Sequence, residues 1–498
     1  MDCPVSIIKS QLMKKYIYLL GGATMMLLAS CKKTLTEKPY SFLTPVNYYQ
    51  TADDAQTAIN GVLSALQPQA YYQRTIYIIT ELPGDLLMPL LTQNQERIDM
   101  YRLQYTPTNP EILNWWQNSY KLISRANDVI AYVPGINMDT ASRNNIVGNA
   151  RFLRAMAYFD LARSFGDVPL LLTPISSKDD PNLFPSRVPV AQVYQQVIED
   201  LKYAEANCFP ENKIALKGMV SSGAASAMLA RVYLQRASTS FADPADNQNA
   251  LAQCNKVINS KIYSLMPKYA DVFNWDLKYY PGQTEHIFDV QFGTNNTGTT
   301  QNITVRMFSP LLLKGSGSFT ANPNFFKNGY AAEDTIRKNW NLSDNVNGTP
   351  VPAYIAKYKD PQWVPGSNNS RMNWIVLRYA DVLLMQSEAI NNLTPSDPAK
   401  FNGINAVRAR AGLKAPEQQL SFSNTPTQSA FADTLVSERA RELCVEGHRR
   451  WDLIRLGRYK QREAAIGFTL QDYQLLLPIP QTERDANPNL TQNPGYGQ

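Results

Sequence analysis

The sequence predicts a mainly α protein: tetratricopeptide-like helix pairs forming a scaffold, with a loop-rich ligand face containing a few short strands. Three features predict it. Apolar residues recur at helical spacing over most of the chain. Small and large side chains alternate on successive helices, which lets neighbours approach closely. One long stretch, 262–372, changes instead to Gly, Asn, Pro and Thr.

The chain opens on a charge-then-apolar leader. Lys14 and Lys15 precede the run Tyr16–Ala29, and Leu28-Ala29-Ser30-Cys31 resembles a lipobox. A membrane-spanning helix wants about 20 apolar residues. This run is shorter and carries Gly21 and Gly22, so it reads as a cleaved signal over residues 1–30, with Met13 as its expected start. Cys31 is then the lipid-bearing first residue of the mature chain, since two or more acyl chains anchor stably where one does not. Residues 31–50 form a tether without apolar periodicity.

The helical pattern begins at Thr51. Asp53 and Asp54 suit the dipole of a first turn, and Ala55, Ala58, Ile59, Val62, Leu63 and Leu66 make a core-facing stripe. Further helices are expected at 111–133, 143–166, 190–206, 217–240, 246–259, 373–392, 398–411 and 428–457. Ala225, Ala230 and Ala237 alternate with Leu229, Tyr233 and Leu234 on one helix, and Ala250, Cys254, Val257 and Ile258 return on the next. The pairs 143–166 with 190–206 and 379–389 with 401–411 follow the same logic, as stacked helical repeats do. The divisions are thus 51–260, 261–372 and 373–498, with 31–498 one compact unit. Loops beyond about 15 residues are uncommon unless functional or disordered, and the aromatic residues of 262–372 favour function. Ile287–Val290 and Ile303–Val305 read as short strands there.

The net charge is +6, and loss of Lys9, Lys14, Lys15 and Asp2 with the leader leaves +4. No basic cluster with interleaved aromatics is present, so nucleic acid is not an expected partner. His286 and His448 lie in unlike contexts without partners at metal-ligand spacing. That argues against a zinc hydrolase and a Ser-His-Asp hydrolase, and no metal or cofactor is implied. Cys208, Cys254 and Cys444 read as buried thiols, a Cys208–Cys254 disulfide being the minority alternative.

Seven groups of residues stand together along the chain: Gly84-Asp85; Trp116, Tyr120, Ile123, Asn127 and Ile130; Ala150-Arg151-Phe152-Leu153-Arg154-Ala155-Met156-Ala157-Tyr158-Phe159 running into Phe165-Gly166-Asp167-Val168-Pro169; Asn373–Met385 with Glu388-Ala389; Asn405–Leu413; Glu438–Arg455; and the tail Pro478-Ile479-Pro480 to Asn493-Pro494-Gly495-Tyr496. Taken together, they resemble the SusD/RagB family of outer-membrane nutrient-binding lipoproteins. The resemblance implies a non-enzymatic lid on a SusC-like TonB-dependent outer-membrane barrel, lipid-anchored and facing outside, capturing a glycan or other nutrient. A membrane-anchored scaffold binding peptide or protein is the alternative, and a glycoside hydrolase the third reading.

Glu438, Glu442 and Glu446 lie at i, i+4, i+8 and raise the third reading, because paired carboxylates hydrolyse glycosides. A ladder on one helix face cannot readily flank a bond from two sides. With Arg441, Arg449 and Arg450 nearby, it reads as a surface ion-pair ladder. Arg151, Arg154 and Arg163 read as interhelix ion pairs or solvated residues opposite an apolar stripe. The Asn-rich stretches 294–302 and 343–348 lack calcium-loop spacing. A sugar ring asks for a flat aromatic surface with amide or charged groups at its edges. Tyr71, Tyr72 and Arg74, then Trp275, Tyr279, Tyr280, Trp340 and Trp363, have that composition and are the candidate ligand residues. Trp115, Trp116, Trp374 and Trp451 are assigned to packing.

Overall fold

A computed structural model describes residues 45–92, 94–214, 217–277, 282–292 and 302–497. The chain forms two compact units, Met1–Tyr48 and Tyr49–Gln498. Of the first, only the helical turn Pro45–Tyr48 is described. Cys31 and its lipobox lie outside the described residues, as do Tyr279 and Tyr280.

The second unit starts with α1, Ala52–Ser64, which a reciprocal cap between Thr51 and Asp54 begins, satisfying two backbone donors that a helix start leaves unpaired. Then come α2 (Pro110–Tyr132), α3 (Thr140–Phe165), α4 (Val190–Asn207), α5 (Ser222–Ala237) and α6 (Asp246–Asn259). After the loop-rich stretch follow α7 (Tyr379–Leu393), α8 (Lys400–Arg410) and α9 (Gln428–Glu442). Each of α2 to α6 packs on the next, α6 packs on α7, and α7 packs on both α8 and α9. The helix pairs therefore make one continuous stack.

Side-chain size explains the closeness of the pairs. A Cβ at Gly403 of α8 would sit 2.4 Å from the Leu383 carbonyl oxygen of α7, so only glycine admits this approach. Around that contact Leu383, Leu384, Phe401, Ile404, Phe431 and Leu435 build a buried cluster shared by α7, α8 and α9. Between α3 and α4, Arg154 grips Asp200 with two bonds of 2.8 Å and donates to Asn127 of α2. Arg151 reaches the same aspartate at 3.6 Å. Arg163 pairs within its own helix, with Asp160, and lies 3.4 Å from the Trp451 ring centroid.

Short antiparallel ribbons join the remaining segments: β1 (Leu87–Pro89) with β3 (Phe319–Ala321), β2 (His286–Val290) with β6 (Trp374–Arg378), and β4 (Leu342–Val346) with β5 (Thr349–Ile355).

Three expectations need correction. Residues 374–378 are a strand, not the start of a helix: the run Trp-Ile-Val-Leu is buried throughout and pairs with β2, and a short apolar run does not distinguish strand from buried helix by period. Residues 304–308 are helical rather than extended. The helix expected over 428–457 breaks after Glu442, because Val445 and Gly447 both take positive φ, and resumes at Arg449. Trp115, Trp116, Trp374 and Trp451 are all buried. Cys208, Cys254 and Cys444 are free, buried thiols. No helix among the described residues is long and apolar enough to cross a membrane.

Candidate functional site

The loop face is assembled from segments far apart in sequence. The β1–β3 ribbon brings the turn after Pro89 beside the loop 309–318, with the Leu90 N–H donating to Ser318 O at 2.9 Å. The helix Thr304–Phe308 feeds that loop. Its Arg306 donates to the Asn368 side chain, while Ser370 donates through backbone and side chain to Asn302 O at 3.2 and 2.9 Å. Loop 361–371 is thereby laid over 302–306. Leu91, Leu311, Leu312 and Val364 remain exposed on these loops.

Trp363 lies on loop 361–371, half-buried. Its indole N–H donates to Ser367 O and its backbone N–H to Asp360 O, both at 2.9 Å, so the turn holds the ring in place. Arg371 lies on the same loop. Its Nε and Nη2 donate to Asp360 Oδ1 at 3.0 and 2.7 Å, its backbone N–H donates to Asp360 Oδ2 at 2.7 Å, and Nη1 pairs with Asp276. Burial would raise the Asp360 carboxyl, but the Arg371 hydrogen bonds outweigh it and hold the group below its ordinary value. The Asp276 side chain keeps 64% of its surface exposed. Trp363 and Arg371 are thus tied to the same residue, Asp360, the first through its backbone carbonyl and the second through its carboxylate.

The other candidates take different places. Trp275 is buried, its indole N–H donating to Lys359 O at 2.9 Å. Trp340 is half-buried, its ring centroid 6.4 Å from that of Phe273, with Lys359 Nζ 4.5 Å from its own centroid. These two tryptophans flank Lys359, four residues before Trp363. Tyr71 and Tyr72 are core residues. Their rings pack on Trp115 at 4.9 and 5.8 Å, and Tyr72 Oη donates to Asp160 at 2.6 Å. Tyr71 has no exposed surface. Arg74 is paired with Glu111 at 3.3 Å. The structure thus brings Trp275, Trp340 and Trp363 to one segment and places Tyr71, Tyr72 and Arg74 under the helix stack. Arg371, Arg306, Asn368 and Asp360 carry no spacing signal, because they meet only after two separate segments, 302–308 and 360–371, fold together.

The glutamate ladder is not on the surface. Glu438, Glu442 and Glu446 are buried, and their partners come from elsewhere in the chain. Glu438 meets Arg337 at 2.6 Å and Arg408 at 2.9 Å, Glu442 meets Arg378 at 2.6 Å and also Arg410, and Glu446 meets Arg378 and Lys357, both at 2.7 Å. Arg441 comes only to 3.7 Å of Glu438, and Arg449 pairs with Asp85 instead. Burial opposes ionisation of all three glutamates, yet the surrounding cations hold them below the ordinary carboxylate value. Each carboxylate is already engaged inside the protein, so the ladder presents no acid–base pair to a sugar.

A stack of tetratricopeptide-like helix pairs carrying a loop face with an ordered, half-buried tryptophan defines a helical-repeat protein with long inserted loops. The chain belongs to the SusD family. The SusD family model matches residues 288–496, and a second model, described as starch-binding associating with outer membrane, matches residues 35–234. SusD-like protein P2 of Formosa agariphila is 26% identical over 93% of this chain and 96% of its own length. The starch-binding protein SusD of Bacteroides thetaiotaomicron is 22% identical over 85% of this chain and 86% of its own. Among solved structures, a SusD superfamily protein from Parabacteroides distasonis superposes with a TM-score of 0.77 at 28% identity, covering 91% of this chain and all of that one.

Proposed function

We propose that this chain is a non-catalytic, lipid-anchored glycan-binding protein of the outer-membrane surface that works with a SusC-like TonB-dependent barrel. The observation that carries the reading is Trp363: an aromatic face fixed by its own turn, on the loop that also carries the polar side chains of Asn368 and Arg371. Pyranose rings have one C–H face and hydroxyl edges, and this combination of surfaces is complementary to them. The name of the Bacteroides thetaiotaomicron relative, a starch-binding protein, supports the same ligand class. Cys31 supplies the anchor in this reading, as the expected lipid-bearing first residue of the mature chain.

Calorimetric titration with a panel of neutral glycans, starch oligosaccharides included, tests the reading. At least one glycan is expected to bind, and Trp363→Ala to weaken it about tenfold or more without changing the melting temperature. Absence of binding across the panel, with tight retention of a peptide, would establish the scaffold reading instead. That alternative has one observation in its favour, a groove of about 320 Å³ in which Ile175, Leu183 and Phe184 stay exposed beside Trp116 and Tyr120.

A further inference from the structure

At the other end of the β1–β3 ribbon from the Trp363 loops lies a second, basic cavity of about 180 Å³. It is lined by Arg441 from α9, Arg449 and Arg462 from the two short helices that follow, Asp85 before β1, and Asn324 and Asn328 after β3. Three guanidinium groups face one carboxylate. That carboxylate is fully engaged, since Asp85 takes two bonds from Arg449, at 2.5 and 2.7 Å, while Arg449 Nη1 donates to Val436 O at 3.0 Å. Arg441 uses Nε on Gly329 O at 2.7 Å and reaches Glu438 only at 3.7 Å.

Arg462 is the least satisfied member. Among the described residues its guanidinium makes one hydrogen bond, from Nη2 to Ser437 Oγ at 3.0 Å, which leaves the Nε and Nη1 donors for something else. Its pKa is depressed, first by burial and then by the charge of Arg449, with Arg441 adding to it while Asp85 and Asp433 act in the opposite direction; the lining itself sets three guanidinium groups against the single carboxylate of Asp85. A guanidinium with free donors beside a second cation is complementary to a planar or tetrahedral oxyanion. The volume sets the size. Drug-sized ligands occupy roughly 300–1,000 Å³, and this cavity holds a single charged group with its immediate attachment.

We propose that the cavity between Arg441 and Arg462 is a binding site for a small oxyanion, a carboxylate or sulfate, carried free or on an acidic sugar. The site is separate from the Trp363 face and requires nothing of it.

The test uses the full chain in mild detergent, titrated with inorganic sulfate, glucuronate and neutral glucose, and crystals soaked in selenate. Sulfate and glucuronate are expected to bind where glucose does not. Arg462→Gln should weaken both by about tenfold or more, with an unchanged circular dichroism spectrum, while Trp363→Ala leaves them unaffected. Tighter binding of glucuronate than of sulfate identifies an acidic sugar as the source, and equal binding identifies the bare oxyanion. An anomalous selenium peak between Arg441 and Arg462 supports the site independently of any variant. Absence of that peak, or oxyanion binding that survives Arg462→Gln, overturns the proposal.

Discussion

Arg378 at the end of β6 and Glu442 at the end of α9 form a fully buried ion pair, 2.6 Å between Nη1 and Oε1. The pair sits at the centre of a larger cluster. Arg378 also meets Glu285 and Glu446 at 2.7 Å, and Arg410 meets Glu285 at 2.8 Å. Cations and carboxylates from the loop-rich stretch, from β6 and from α8 and α9 thus neutralise one another inside the protein.

Removing one member leaves the others charged and dry. Arg378→Met is expected to cost about 3–5 kcal/mol, read as a fall in the urea midpoint. The pH dependence has a definite sign. The glutamates titrate below their unfolded value of 4.5, so their contribution is complete above about 4.5 and is lost as pH falls through the depressed folded values. Wild type should lose stability steeply below pH 4.5, and Arg378→Met more gently.

Glu463 behaves in the opposite way. It is buried, both its carboxylate oxygens lack a hydrogen-bond partner among the described residues, and burial together with the nearby Asp85 charge pushes its pKa up to about 8. A folded pKa above the unfolded 4.5 means that the folded state keeps its proton longer. Stability from this group is therefore complete below about 4.5 and declines as pH rises towards 8. Glu463→Gln cannot ionise. It should match wild type in melting temperature at pH 5 and exceed it by several degrees at pH 8.5, on the order of 2–4 kcal/mol.

The helix stack could be read from the chain because its information is local. Ala250, Cys254 and Val257 all fall on the buried face of α6, whose bounds match the apolar pattern. The ladder misled for the converse reason. Glu438, Glu442 and Glu446 look like a solvated face when only Arg441, Arg449 and Arg450 are visible beside them, and their true partners arrive from positions 337, 357, 378, 408 and 410. The same limit applies to the loop face. Composition singles out Trp363 and Tyr72 alike, and only the packing of Trp115 and Asp160 around Tyr72 takes that ring out of reach of a ligand.

The three cysteines of the helical unit should be chemically silent. Burial pushes the Cys208 and Cys444 thiols up to about 12 and raises Cys254 as well, and a thiol, unlike a thiolate, is a poor nucleophile. Iodoacetamide at pH 8 is expected to leave all three unmodified in the folded protein and to label all three in urea, with peptide mapping as the readout. Rapid labelling of any of them in the folded state would contradict the packing of α4, α6 or the turn after α9.

Two tryptophans on the loop-rich stretch separate stability from binding. Trp275 is 3% exposed and anchors the backbone at Lys359 through its indole N–H, so truncation opens a cavity and removes a hydrogen bond. Trp275→Ala is expected to cost about 3–5 kcal/mol and to weaken ligand binding only by lowering the folded fraction. Trp363 is half-buried and held by a local turn, and its truncation leaves no comparable void. Trp363→Ala should change stability by about 1 kcal/mol or less while removing the surface on which a sugar ring would lie. Thermal melts and glycan titrations on the two variants give opposite patterns under this assignment: a low melting temperature with near-native affinity for Trp275→Ala, measured below its melt, and a near-native melting temperature with lost affinity for Trp363→Ala. Lost affinity in neither variant would place the ligand elsewhere on the molecule.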